Sequence, residues 1–155
     1  MENAEGVAPA RLRVLPSRLL GLAALPANRL ADRGLAAAGS RRYHYALLAA
    51  LAEYGPASQA DLGRRTGIDR SDIVAITNEL AERGFIVRSP DPDDRRRNII
   101  TLTPAGTRHL ARLDGLVAEA QDELLAPLSA GERTELVRLL TLLVDHHAAA
   151  GTVHA

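Results

Sequence analysis

The sequence predicts a mainly α-helical chain interrupted by one β-hairpin. Apolar residues recur at three- and four-residue spacing along most of its length, the period of an amphipathic helix. Two short β-prone runs, Phe85-Ile86-Val87-Arg88 and Ile99-Ile100-Thr101-Leu102, flank a stretch rich in Pro, Asp and Arg. Helix-starting signals, Thr103-Pro104 and Ser129-Ala130-Gly131-Glu132, resume after the second run.

Residues 1–10 are small and polar, and are read as a tail. Leu12, Leu15, Leu19 and Leu22 open a helical pattern, with Pro16 tolerated in the first turn. Pro26 is expected to kink or divide this segment, because proline removes a helical donor. The pattern resumes at Leu30–Leu35 and stops near Gly39. Ser40 is expected to cap a helix that ends at Gly55-Pro56. His44, Leu47, Leu48 and Leu51 share one face of it. Ser58, with Asp61 three residues on, starts a short helix carrying Leu62 and closed by Gly67. Asp69 and Asp72 repeat that device for a helix reaching Arg83, with Ile73, Ile76 and Leu80 inward and Gly84 closing it. These two helices, joined at Thr66-Gly67-Ile68, form a helix–turn–helix.

After the hairpin, Leu110, Leu113, Val117, Ala120 and Leu124 form a 3,4-spaced packing seam ending at Pro127. A capping box at Ser129–Glu132 opens the last helix. Its Leu136, Leu139, Leu140 and Leu143, with Val137, Leu142 and Val144, give so broad an apolar surface that burial on more than one side is expected.

Composition bounds the function. The chain has 155 residues with 19 basic and 19 acidic side chains, and every basic one is Arg. Neutrality provides no global attraction to nucleic acid, so any such binding must come from local charge. The absence of Cys excludes disulfides, thiolate metal sites and thiol redox switching. No apolar run approaches a membrane span, and the N-terminus has no secretory pattern. The expectation is a cytoplasmic protein.

A helix–turn–helix followed by a hairpin is a winged helix. One helix enters the DNA major groove while the wing lies along the backbone or minor groove. The wing's motif is specific. Asp94-Arg95-Arg96 is followed by five residues, Arg97 to Thr101, and then by Leu102-Thr103-Pro104-Ala105-Gly106. This spacing, with the preceding Leu80-Ala81-Glu82-Arg83-Gly84-Phe85-Ile86, resembles the multiple-antibiotic-resistance regulator (MarR) family over about residues 40–110.

The resemblance implies a homodimer on double-stranded DNA at a pseudo-palindromic operator. It implies a repressor that a small, often aromatic or phenolic, effector releases. The domain plan is then a tail at 1–10 and an N-terminal dimerisation helix at 11–38. A winged helix–turn–helix lobe with a two-stranded wing follows at 40–106, C-terminal dimerisation helices at 104–149, and a second tail at 150–155. In the wing, Arg95, Arg96 and Arg97 suit phosphate and a narrow minor groove. The resemblance makes Arg96 the groove-inserting residue and Asp94 an intramolecular partner that orients an arginine.

The recognition helix presents Arg70, Ser71, Asp72, Val74, Ala75 and Asn78. Asn pairs with adenine, Arg with guanine or phosphate, and Val74 meets a thymine methyl. The family often has a polar and a basic residue where this chain has Val74 and Ala75, so weight moves to the wing, to Arg70 and to DNA shape. Ser58 and Gln59 are candidate phosphate contacts at a helix start, a role compatible with capping. Residues 58–106 hold eight Arg and eight acids, so a moderate salt dependence is expected.

An effector pocket is assigned to Arg41, Arg42, Tyr43 and His44. His44 is read three ways: as a ligand contact, as a pH-sensing group, or as a satisfied core histidine. His146 and His147, adjacent on a helix, point about 100° apart, and with His154 in a tail they make no zinc site. No cofactor, metal or membrane partner is expected, and no nucleophile elbow, phosphate loop or metalloprotease motif points to an enzyme. The competing reading is a winged-helix protein–protein interaction module without DNA binding, supported by Val74, Ala75 and the neutral lobe.

Overall fold

The computed structural model describes residues 7–151; the predicted tails, 1–10 and 150–155, lie outside the described residues at 1–6 and 152–155, while helix already begins at Ala10 and still runs at 150–151. The chain divides into two compact units, one ending at Gln121 and the other beginning at Asp122.

The first unit opens with α1 (Ala10–Arg13) and α2 (Pro16–Ala36), with Pro16 at the helix start. Pro26 neither ends nor divides α2, which runs through it. Proline there removes one backbone donor, the one facing the Leu22 carbonyl, and the remaining bonds of this 21-residue helix carry it through. Then come α3 (Arg42–Tyr54), a two-residue strand β1 (Ala57–Ser58), α4 (Gln59–Thr66) and α5 (Arg70–Glu82). The strands β2 (Ile86–Pro90) and β3 (Asn98–Leu102) form the wing, and α6 (Pro104–Leu124) follows.

The wing is an antiparallel hairpin pairing Ile86 with Leu102 through to Pro90 with Asn98. β1 adds to its other edge by pairing Ala57 with Ile100 and Ser58 with Ile99, so the sheet has three strands, ordered β1-β3-β2. Two residues are too few to show the strand alternation that sequence reading depends on.

The core is one cluster joining α3, α4, α5, the sheet and α6. Leu47, Leu48, Leu62, Ile73, Ile76, Leu80, Ile86, Ile100 and Leu113 are all buried in it. These are residues that helical periodicity places inward on α3, α4, α5 and α6, with one inward residue from each wing strand. Burying each contributes on the order of 1.5–3 kcal/mol.

The Leu102-Thr103-x-x-Gly106 motif has a structural cause. Thr103 Oγ1 donates to the Gly84 carbonyl at 2.7 Å and accepts from Gly106 N–H at 3.0 Å, while Thr103 N–H donates to the Phe85 carbonyl at 3.1 Å. The start of α6 is thereby pinned to the exit of α5. At Gly106 a Cβ would stand 2.0 Å from the Phe85 carbonyl oxygen, so only glycine fits.

Two predicted caps differ. Ser40 does not cap α3; Arg41 occupies that position, and its backbone N–H donates to His44 Nδ1 at 2.9 Å. Ser40 is instead buried and bonded to His109. Asp69 stands at the start of α5 without a side-chain cap bond, whereas Ser58 Oγ accepts from Asp61 N–H as expected.

In the second unit, α7 (Ala130–Gly151) starts with the predicted capping box. Ser129 N–H donates to Glu132 and Glu132 N–H to Ser129 Oγ. The expectation that α7 is buried on more than one side is not met: no α7 residue is buried, and Val137, Leu142 and Val144 are exposed. Among the described residues no helix is long and apolar enough to cross a membrane.

Candidate nucleic-acid interface and a neighbouring cavity

The α5 face away from the core carries the six residues predicted for it: Arg70, Ser71, Asp72, Val74, Ala75 and Asn78 are all exposed. Beside it, residues of α4, α5 and the wing surround one concavity of about 540 Å³. Gln59, Arg70, Arg96 and Arg97 line it together with Ser58 and Asn98. Residues up to 40 positions apart thus converge on a single basic hollow.

Aspartates shape the wing tip. Asp91 Oδ1 accepts from Asp93 N–H at 2.9 Å, and Asp94 Oδ1 accepts from Arg96 N–H at 3.0 Å. The loop closes through Asp91 N–H on the Arg97 carbonyl at 2.8 Å. Asp94 also meets Arg96 Nε at a long 3.4 Å, so it is an intramolecular partner of that arginine, with the guanidinium side chain still 93% exposed. Among the described residues the Arg70, Arg95 and Arg97 side chains meet no carboxylate. Three exposed guanidinium groups are therefore left without an ion-pair partner among the described residues.

Two predicted contacts are committed elsewhere. Ser58 is buried; its hydroxyl donates to Asp61 Oδ2 at 3.0 Å while accepting from Asp61 N–H, which holds the Asp61 carboxyl below its ordinary value. A phosphate there meets backbone N–H or Gln59, not this hydroxyl. Asn78 Oδ1 accepts from Arg88 Nη1 at 2.6 Å, which takes up one lone pair of the oxygen that bidentate pairing with adenine uses. Arg88, on β2, did not stand out in the sequence. It ties the recognition helix to the wing, and only the fold brings residues 78 and 88 together.

A second hollow, about 590 Å³, lies between the end of α2 and the start of α3. Asp32, Ala36, Ser40, Arg41, Arg42 and Tyr43 line it. Three of the four predicted effector residues are brought together; His44 is not among the lining residues and is buried beneath. Its Nδ1 accepts from Arg41 N–H, so the neutral ring carries its proton on Nε2, which donates to Glu79 Oε2 at 2.6 Å. Burial is the main cause pushing the His44 pKa down, against the raising effect of Glu79. Arg41 Nη2 reaches the same carboxylate at 2.6 and 2.8 Å and holds Glu79 below its ordinary value. Glu79 belongs to α5, so this hollow is one ion pair away from the recognition helix.

A third cluster joins α2, α5 and α6. Arg83 donates to the Ala38 and Gly39 carbonyls at 3.0 and 2.7 Å, and Arg112 to that of Ala37 at 3.4 Å. Cations at a helix C-terminus satisfy its orphan carbonyls and its dipole. Arg83 also lies over the Phe85 ring, which stacks on His109 with centroids 4.1 Å apart, and His109 Nε2 bonds Ser40 Oγ at 2.8 Å. Burial pushes the His109 pKa down. Among the described residues no group of three or more His, Cys, Asp or Glu side chains is placed to hold a metal ion.

A helix–turn–helix with an arginine-tipped wing defines a winged-helix protein of the DNA-binding type. Comparison with known proteins narrows the class. The model of the MarR family matches residues 39–97. The chain is 35% identical over 107 residues to the HTH-type transcriptional repressor NicR of Pseudomonas putida, covering 69% of this chain and 68% of that protein. It is 39% identical over 99 residues to a Thauera aromatica protein named for regulation of the hcr operon; that match covers 64% of this chain but only 60% of its relative. The structure of the transcriptional regulator PcaV from Streptomyces coelicolor with its natural ligand superposes with a TM-score of 0.74 at 29% identity, covering 90% of this chain and 98% of that one. This chain belongs to the MarR family of transcriptional regulators.

Proposed function

We propose that this protein is a repressor that binds a pseudo-palindromic operator as a homodimer and is released by a small-molecule effector. The observation that carries the reading is the convergence of Gln59, Arg70, Arg96 and Arg97 on one hollow beside the exposed face of α5. Phosphate is the ligand such a hollow suits, because guanidinium bonds it bidentately. The α5 helix enters the major groove, and Arg96 at the wing tip reaches the flanking minor groove. Base readout rests on Arg70 and Val74 more than on Asn78, whose carbonyl oxygen Arg88 occupies.

The lobe is residues 40–106, and dimerisation falls to residues 11–38 and 104–149. The exposed Leu15, Leu19, Leu22 and Leu25 of the first segment, and Val137, Leu139, Leu142 and Val144 of the last helix, favour a second copy as their cover. The effector hollow is the one lined by Arg41, Arg42 and Tyr43, with His44 as a core residue beneath it. The chemistry is binding, not catalysis, and the protein acts in the cytoplasm. PcaV, solved with its natural ligand, supports ligand response, and the repressor NicR supports the sign of regulation.

A mobility-shift assay on the DNA upstream of its own gene tests this. A retarded complex at low salt, weakened as salt rises, is the expected result. The apolar Val74–Ala75 face favours a second reading, a protein-binding winged helix. Absence of any complex at low salt selects it and rejects the repressor.

A further inference from the structure

We propose that Arg88, on the wing strand β2, determines base specificity through Asn78: it turns that position toward guanine and away from adenine. This deepens the DNA-binding reading above and rests on it.

The backbone brings the two residues together. Only residues 83–85 separate α5 from β2. Gly84 N–H donates to the Ala81 carbonyl and Phe85 N–H to the Leu80 carbonyl, each at 3.0 Å, which fixes the turn. Ile86 and Arg88 lie two positions apart on β2 and so share one of its faces. Arg88 also stands opposite the buried Ile100 in the wing register, and opposite residues share a face. The Arg88 side chain therefore leaves the sheet on the side that packs against the helices, one step beyond the buried Ile86. From there its Nη1 reaches Asn78 Oδ1 at 2.6 Å.

Arginine has donors only, so the amide oxygen is the atom that must face it, and the Nδ2 branch points away. Ser71, Val74, Ala75 and Asn78 fall at i, i+3, i+4 and i+7, forming one exposed stripe of α5. Asn78 is the only amide on that stripe, and Val74 and Ala75 have no side-chain hydrogen-bonding groups. What Asn78 presents therefore weighs heavily in readout.

Bidentate pairing with adenine needs Oδ1 to accept from the N6 amino group while Nδ2 donates to N7. With Arg88 in place, that amino group meets an oxygen already holding a guanidinium, donor beside donor. Guanine offers two acceptors, O6 and N7, on the same edge. Nδ2 can donate to one of them, and the Arg88 charge favours the other. Among the described residues Arg88 meets no carboxylate, so its charge is not offset by an ion pair.

The test selects duplexes from a random-sequence library with the full chain and reads the base at each enriched position. Asn78→Ala locates the position that residue 78 reads, because the preference there should be lost. The parent should hold guanine at that position. Arg88→Met keeps the apolar stem and removes the donors, so the preference should move to adenine. On two duplexes differing at that base pair, fluorescence anisotropy should show the guanine-to-adenine affinity ratio falling at least about ten-fold. Arg88→Lys, which keeps the charge without the fork, should retain part of the guanine preference. Both side chains are exposed, so all three variants should melt like the parent. Adenine at that position in the parent, or Asn78→Ala altering no position, overturns the inference. So does Arg88→Met weakening every duplex equally, which makes Arg88 a phosphate contact. Enriched duplexes without two-fold symmetry reject the pseudo-palindromic operator and leave the assignment of Arg88 standing. A library from which the parent enriches nothing rejects DNA binding and this inference with it.

Discussion

Arginines at the wing tip and arginines at the end of α2 share one chemistry and have opposite fates. Arg83 and Arg112 donate to three successive carbonyls, those of Ala37, Ala38 and Gly39, and Arg83 also covers the Phe85 ring. They are consumed by structure. Arg95, Arg96 and Arg97 sit on a loop whose own aspartates bond backbone N–H groups, leaving the guanidinium groups exposed. The lesson concerns charge counting. A lobe with eight Arg and eight acids is neutral on paper. Yet acids such as Asp61 and Glu79 are paired with arginines within the fold, while Asp91 and Asp94 spend oxygens on wing backbone N–H groups, so the tip guanidinium groups stay unpaired or loosely paired.

The largest effect should come from the backbone seam that supports both regions. Gly106→Ala forces a methyl into the Phe85 carbonyl and should cost about 3 kcal/mol. Thermal unfolding should drop by on the order of 6–12 °C. A melt unchanged from the parent would show that the junction of wing and α6 is not fixed as described. Next, Arg83→Ala should lower stability by about 1–3 kcal/mol. Arg83→Lys should rescue little, because an ammonium cannot reproduce the fork over two carbonyls. Full rescue by Lys would make simple charge the explanation.

Wing-tip substitutions should invert this pattern. Arg96→Ala should leave the melt unchanged while weakening DNA binding by about 1–3 kcal/mol and reducing the salt slope. If Arg96→Ala lowers the melting temperature as Arg83→Ala does, the contrast between spent and available arginines collapses.

Much of this was legible in the sequence because it depends on local order. Periodicity located the inward residues of α3, α4 and α5, and the wing spacing located Asp94, Arg96 and the Thr103–Gly106 seam. Other features depend on residues far apart in the chain. Ser40, read as a cap, bonds His109, 69 positions away; Arg41 bonds Glu79, 38 positions away. Such partners follow from packing, which no single-segment pattern encodes. Pro26 misled as a divider of α2 because one lost donor does not outweigh the other bonds of a 21-residue helix. The breadth of α7's apolar face was legible, whereas the absence of any buried residue on it within one chain was not.

The smallest effect is a pH dependence that separates the buried node from the wing. His44 and His109 are held below their ordinary value near 6.5, chiefly by burial. Between that value and the lowered one, the unfolded chain binds more protons than the folded chain, so stability rises with pH. Stability should therefore begin to fall as pH drops through about 6.5 and keep falling until the folded imidazoles titrate. Protonating His44 puts a hydrogen on Nδ1, against the Arg41 N–H it accepts from, so folding must oppose it. Glu79 acts in a lower window: its folded value is depressed, so its contribution is present above the ordinary glutamate range and is lost only in stronger acid. Denaturant melts at stepped pH should then show a first decline near 6.5, flattened in His109→Gln, which keeps a polar group for Ser40 but cannot charge. Arg96→Ala should leave the decline untouched. A decline that begins only in the carboxylate range would remove the histidines from the account, leaving carboxylate contacts such as Arg41–Glu79 and Ser58–Asp61 as the acid-sensitive ones of the lobe.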